Sequence, residues 1–345
     1  MRSLGCLQRG VAWPLVSIGW LVGLAGCAET AADRVVDPSL TRTEADQELR
    51  AMVPAEANLL LSVDLAALRK SPWTHAAFQE ALAKPTGKTA PENAFANEVD
   101  RLVFAMVPAV GEGASLLIAQ GRFTPTAVLG MFKTQEGPET RSQYRGMELR
   151  ERGPQALVIE ENRLVLAGPT VVVRAALDCA QGQARSLDGV GWLESLQTGL
   201  AVPKKKHEGR EVASLFVRLP DATRKQLLEE IGEGETLQDV GIRLDLGGDL
   251  VLRALGRTQT PQQAADLAAR LAHYLQESQA RPIVSAFGLA PVLSTVRFEV
   301  KANAMTATLR VSSTEREFIA SRMAVVSRTI AAIRAEKKSQ EKQHP

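Results

Sequence analysis

Aromatic side chains make up only 4% of this 345-residue chain, which argues against a carbohydrate- or base-stacking platform. Charge of one sign is also missing: 41 basic against 39 acidic side chains leave a formal net charge of +2. Phosphate binding needs a basic excess or stripe, so a nucleic-acid partner is not expected. The four histidines, His75, His207, His273 and His344, are scattered, and no spacing among them suggests a metal site. There is no Gly-x-Ser-x-Gly elbow, no His-Glu-x-x-His and no Gly-x-Gly-x-x-Gly. Gly87-Lys88-Thr89 is the nearest approach to a phosphate loop. The motif needs a glycine five residues earlier, where Leu82 stands, and a strand before it, where a helix is expected. No catalytic residue, metal ligand or cofactor is assigned.

Long apolar runs are equally rare, and the one present lies near the N-terminus. Val11 to Gly26 carries no charge and follows ten residues that hold Arg2 and Arg9 but no acid. A basic start, an apolar middle and small residues at the end are the anatomy of a secretory signal peptide. Sixteen residues with Pro14 inside fall short of the roughly 20 that a spanning helix needs. The run ends in Leu24-Ala25-Gly26-Cys27, which resembles the lipobox of bacterial lipoproteins. That resemblance implies recognition of Leu24, Ala25 and Gly26 by the signal peptidase, cleavage before Cys27, and acylation of the Cys27 thiol and its new amine. Several acyl chains hold a protein stably where one is marginal, each buried CH₂ contributing about 0.8 kcal/mol. Ala28, in place of Asp, resembles the outer-membrane sorting pattern of the family.

Cleavage there would change the rest of the account. Arg2 and Arg9 leave, and the remaining 39 basic and 39 acidic side chains balance. Cys6 leaves as well and Cys27 is consumed, so Cys179 remains alone, with no disulfide possible. Cys179, within an expected helix over 170–180, reads as a small buried apolar residue.

The hydropathy pattern predicts an α+β body: two tandem copies of a strand–helix–hairpin–helix–strands–helix unit, with antiparallel sheets covered by helices. The expected layout is signal peptide 1–26, polar tether 27–52, first repeat 53–202, linker 203–209, second repeat 210–336 and charged tail 337–345. Leu116 to Arg122 followed by Thr124-Pro125 matches Leu250 to Arg257 followed by Thr260-Pro261. In both, a strand closes on Gly-Arg and a Thr-Pro pair opens a helix, with Pro at its first position. Capping boxes are expected at Thr260 to Gln263 and at Thr314 to Glu317. After the second, Ile319, Met323, Val326, Ile330 and Ile333 form an apolar stripe expected to pack on the second sheet. Lys204-Lys205-Lys206 reads as a solvated connector.

Val53-Pro54-Ala55-Glu56-Ala57 with Leu59 to Leu65, and Gly146-Met147 through Val158 with Arg163 to Ala167, resemble a family of uncharacterised bacterial envelope proteins. That family has no established catalytic residues, so the resemblance implies fold and compartment alone. The expectation is a membrane-anchored envelope lipoprotein with a binding or scaffolding role, held by acyl chains on Cys27 and meeting an envelope protein partner. An envelope hydrolase with a scattered site and a carrier of an apolar ligand are the alternatives.

Overall fold

The computed structural model describes residues 42–74, 98–108, 114–132, 137–161, 163–201, 209–220, 224, 237–281, 284 and 289–318. The fold is α+β, built on antiparallel sheet. Two compact units divide the chain: residues 1–201 with 212–220, and 202–211 with 221–345. Among the described residues no helix is long and apolar enough to cross a membrane.

Among the described residues the first unit opens on a helix, α1 (Arg42–Ala51), where the sequence suggested the last part of a polar tether. Its heptad-like spacing is poor, but Leu49 and the following Val53 are fully buried, and Leu187 N–H donates to the Val53 carbonyl. Two well-buried side chains outweigh a weak helical pattern. Then follow β1 (Leu59–Asp64), α2 (Leu65–Lys70), β2 (Val99–Met106), β3 (Ser115–Gly121) and α3 (Pro125–Phe132). β4 (Glu139–Tyr144), β5 (Met147–Arg152), β6 (Gln155–Glu160) and β7 (Leu164–Pro169) run on to α4 (Thr170–Ala180) and α5 (Gly191–Leu200). Strand order is β1-β2-β3-β7-β6-β5-β4. On the other side of β1 lies β8 (Arg210–Arg218), with Ser62 opposite Ser214. β8 was expected to open the second repeat; instead residues 212–220 complete the first unit.

Alternation along these strands fixes two faces. Val103, Ile118, Leu166, Val158 and Leu149 form one cross-strand row, and all five are buried. They lie on the face where α4 buries Val172, Val173 and Ala176. Each such side chain contributes about 1.5–3 kcal/mol by leaving water. On the opposite face Leu102, Ala119, Leu157 and Val165 pack with Phe123 and with Val128 and Phe132 of α3. Thr124 starts α3 by turning its N–H and its hydroxyl to the Glu98 carboxylate (2.7 and 3.1 Å).

The second unit holds β9 (Asp239–Leu246), β10 (Leu250–Arg257), α6 (Pro261–Gln279), α7 (Ala290–Leu293), β11 (Arg297–Lys301) and β12 (Ala304–Val311). The order β9-β10-β12-β11 is that of β2-β3-β7-β6 in the first unit. The capping box at Thr260 and Gln263 is present, and Pro261 opens α6. The second box is displaced by two residues: Ser312, not Thr314, bonds reciprocally with Glu315. Ser312 has an acid three residues on, which is the same pattern two residues earlier. Leu24, Ala25, Gly26, Cys27, His75, the Lys204–Lys206 run, His207, the stripe from Ile319 to Ile333 and His344 lie outside the described residues.

Candidate interaction surface

β4 and β5 form a hairpin. Arg145 and Gly146 make its two-residue turn, with φ of 55° and 80°. Two successive positive φ angles define a type I′ turn, whose twist matches the flanking strands. Six pairs follow without a shift, from Tyr144 opposite Met147 to Glu139 opposite Arg152.

The hairpin tip is fastened to α4. Tyr144 donates its hydroxyl to the Asp178 carboxylate (2.9 Å), Arg145 Nε donates to the same group (2.8 Å), and Gln181 Nε2 donates to the Arg145 carbonyl (2.9 Å). These donors hold the Asp178 carboxyl below its ordinary pKa, the Arg145 hydrogen bond most of all. Arg174 pairs with Glu151 at 3.0 Å and lies 5.4 Å from the Tyr144 ring centre. The other face carries a ladder of charge: Arg150 meets Glu148 at 2.8 Å, and Arg152 and Arg141 each meet Glu139 at 3.5 Å.

A two-residue turn makes Tyr144 and Met147 a hydrogen-bonded pair. Alternation then sends the peptide groups of Thr140 and Ser142 inward to β5, and those of Glu139, Arg141 and Gln143 outward. Among the described residues β4 pairs with β5 alone and ends the sheet. Natural sheets blunt an exposed edge with Pro, a bulge or charges, Lys above all; β4, Glu-Thr-Arg-Ser-Gln-Tyr, has no Pro, Lys or bulge, and its charges are Glu139 and Arg141. A fastened, straight edge of this kind can accept an added strand.

A second concentration of charge lies inside the second unit. Asp245 is fully buried and takes Arg243 at 2.8 Å and Arg253 at 3.7 Å. Arg243 also reaches Glu211 at 3.3 Å. Arg243 and Arg253 are directly opposite on β9 and β10, so Asp245 separates two like charges. Burial lowers the Arg253 pKa, and Asp245 acts against that. Every charge has an opposite within reach, so the arrangement is an internal brace. The signal for it was an Arg-x-Asp step in an otherwise apolar strand.

The remaining candidates carry no chemistry in this arrangement. Cys179 is buried, its Sγ lies 3.3 Å from the Arg185 carbonyl, and burial pushes its pKa up to about 11. His273 sits on exposed α6, 3.5 Å from Glu277 one turn on. Among the described residues no group of His, Cys, Asp and Glu has the arrangement of a metal site.

No family model matches the chain, and no curated protein does. Among solved structures it is similar to TP0453 in several crystal forms. Form III gives a TM-score of 0.45 at 10% identity, over 77% of this chain and 94% of that one. Form I gives 0.43 at 10% identity, over 84% and 99%. Form IV gives 0.44 at 10% identity, over 78% and 95%. A likeness this distant says nothing about function.

Proposed function

We propose that this chain is exported, acylated on Cys27 and anchored to the bacterial cell envelope, at the outer membrane, where its body binds or scaffolds an envelope protein without catalysis. The observation that carries the reading is Leu24-Ala25-Gly26-Cys27 at the end of an uncharged run that begins after Arg2 and Arg9. The β4 edge, which pairs with β5 alone among the described residues, supports a role in protein binding. Labelled palmitate should enter the wild-type chain, and Cys27→Ser should lose the label and retain its signal. A Cys27→Ser chain released at mature length without detergent would overturn the anchoring. Crosslinking and pull-down from native membranes tests the binding role, which fails if no stable partner is found while the purified protein turns over a substrate.

A second reading, carriage of an apolar ligand, draws support from the strands of the second unit. Leu244, Leu252 and Leu309 form one row and Ile242, Ala254, Ala307 and Phe298 the next, all on one face. None of these seven side chains is fully buried, which is uncommon for so apolar a face. Lipid extraction followed by mass spectrometry of the purified chain tests it, an empty protein arguing against carriage.

A further inference from the structure

We propose that the β4 edge pairs with β4 of a second copy of this chain, antiparallel about a two-fold axis at Ser142. It goes beyond the anchoring proposal and does not depend on it, because the register is set by β4 alone. Only outward-facing peptide groups can bond across the new seam, so the axis must pass through a residue rather than between two. An axis at Arg141 would set Arg141 against itself, and one at Gln143 would set Arg141 against Arg145 of the second copy. An axis at Thr140 would carry the ladder past the end of β4 to Pro138. The axis at Ser142 places Arg141 opposite Gln143, Thr140 opposite Tyr144, and Glu139 opposite Arg145. Residues 140 to 144 then pair wholly within β4 and no like charges are opposed, while Glu139 falls opposite Arg145 in the turn. Thr140 against Tyr144 is the β-branched and aromatic combination that sheets favour. The strand is also already held straight by the Asp178 anchorage, so little ordering remains to be done on association. Such a contact is isologous and closes at a dimer.

The test uses the full-length chain in its native membranes and after detergent extraction. Ser142→Cys brings two thiols together at a non-hydrogen-bonded pair, where the Cα separation suits a disulfide. Mild oxidation should convert most of the chain to a dimer on a non-reducing gel, whereas Val171→Cys, an exposed site away from the edge, should not crosslink. Adding Gln143→Pro removes one outward donor per chain while leaving the β5 ladder intact, and should reduce the crosslink about tenfold. A charge pair separates association from folding, since Gln143 faces Glu148 within the hairpin and Arg141 across the seam. Gln143→Arg should raise the melting temperature slightly and weaken the dimer; Gln143→Glu should do the reverse. The proposal is overturned if the wild-type chain sediments as a monomer at tens of micromolar. It is equally overturned if Ser142→Cys crosslinks no better than Val171→Cys or crosslinks to a different protein. Melting temperature and association moving in the same direction would overturn the register.

Discussion

The two units share a strand order and differ in what they put at equivalent places. In the first, the row Val103, Ile118, Leu166 is buried under α4. Counting back from the matched glycines, Gly121 and Gly256, the same row in the second unit is Arg243, Arg253, Thr308. One scaffold is closed by hydrocarbon and the other by a buried ionic brace around Asp245. Packing of the first kind tolerates small changes in shape, each costing what the lost area and cavity dictate. The second depends on a complete set of charges, because each member left alone is a desolvated ion. The units therefore look alike as drawings and should fail differently.

The glycines give the largest expected contrast. A Cβ at Gly121 would stand 2.0 Å from the Glu98 carbonyl oxygen, a backbone atom fixed by its bond from Arg122 N–H. Gly121→Ala should cost more than about 4 kcal/mol and prevent folding. At Gly256 the nearest atoms are the ends of Leu237 (2.9 Å) and Leu267 (3.4 Å), which can rotate away. Gly256→Ala should cost about 1–2 kcal/mol in a denaturant titration. Equal losses would overturn this contrast between the two matched glycines.

Next in size is the brace. Asp245→Ala should destabilise by about 3–5 kcal/mol, since two opposed guanidinium groups lose their shared acceptor. Replacing Arg243, Asp245 and Arg253 together with Leu should recover most of that loss. Failure to recover would mean that the brace specifies the strand register as well as filling space. Thr260→Ala, which removes the cap of α6, should cost about 1 kcal/mol. The smallest effect concerns Asp178. Its pKa is lowered in the folded chain, so its contribution is complete above the ordinary carboxylate range and fades as pH falls through the folded value, below 3.8. Asp178→Asn should lower stability slightly at neutral pH and converge with wild type in acid, which flattens the acid limb of the stability curve.

What could be read in the sequence was local. The β2–β3 and β9–β10 hairpins, α4 and α6 announce themselves through apolar periodicity, the Gly-Arg and Thr-Pro steps, and caps. β4 did not, because its inward residues Thr140, Ser142 and Tyr144 are hardly more apolar than its outward ones. α5 also went unread, although Trp192, Leu193, Leu196 and Leu200 are all buried. The placement of β8 is a non-local choice: nothing in Val212 to Phe216 says whether its partner precedes it by many residues or follows it by a few. Leu24 to Cys27 lies outside the described residues, so the proposed lipobox rests on the sequence alone.

The pairing of β1 with β8 has a consequence in time. Leu59 is matched to Val217, so β1 waits for a partner made 158 residues later. A chain crossing a membrane N-terminus first would deliver β1, β2 and β3 early and hold one edge of β1 open until β8 arrives. During that interval the row of unpaired amides on β1 is an open edge that another strand can join. Closure by β8 then marks the completion of the first unit, so a stop or a slow codon stretch before residue 210 should expose the chain to proteolysis or to a holding chaperone.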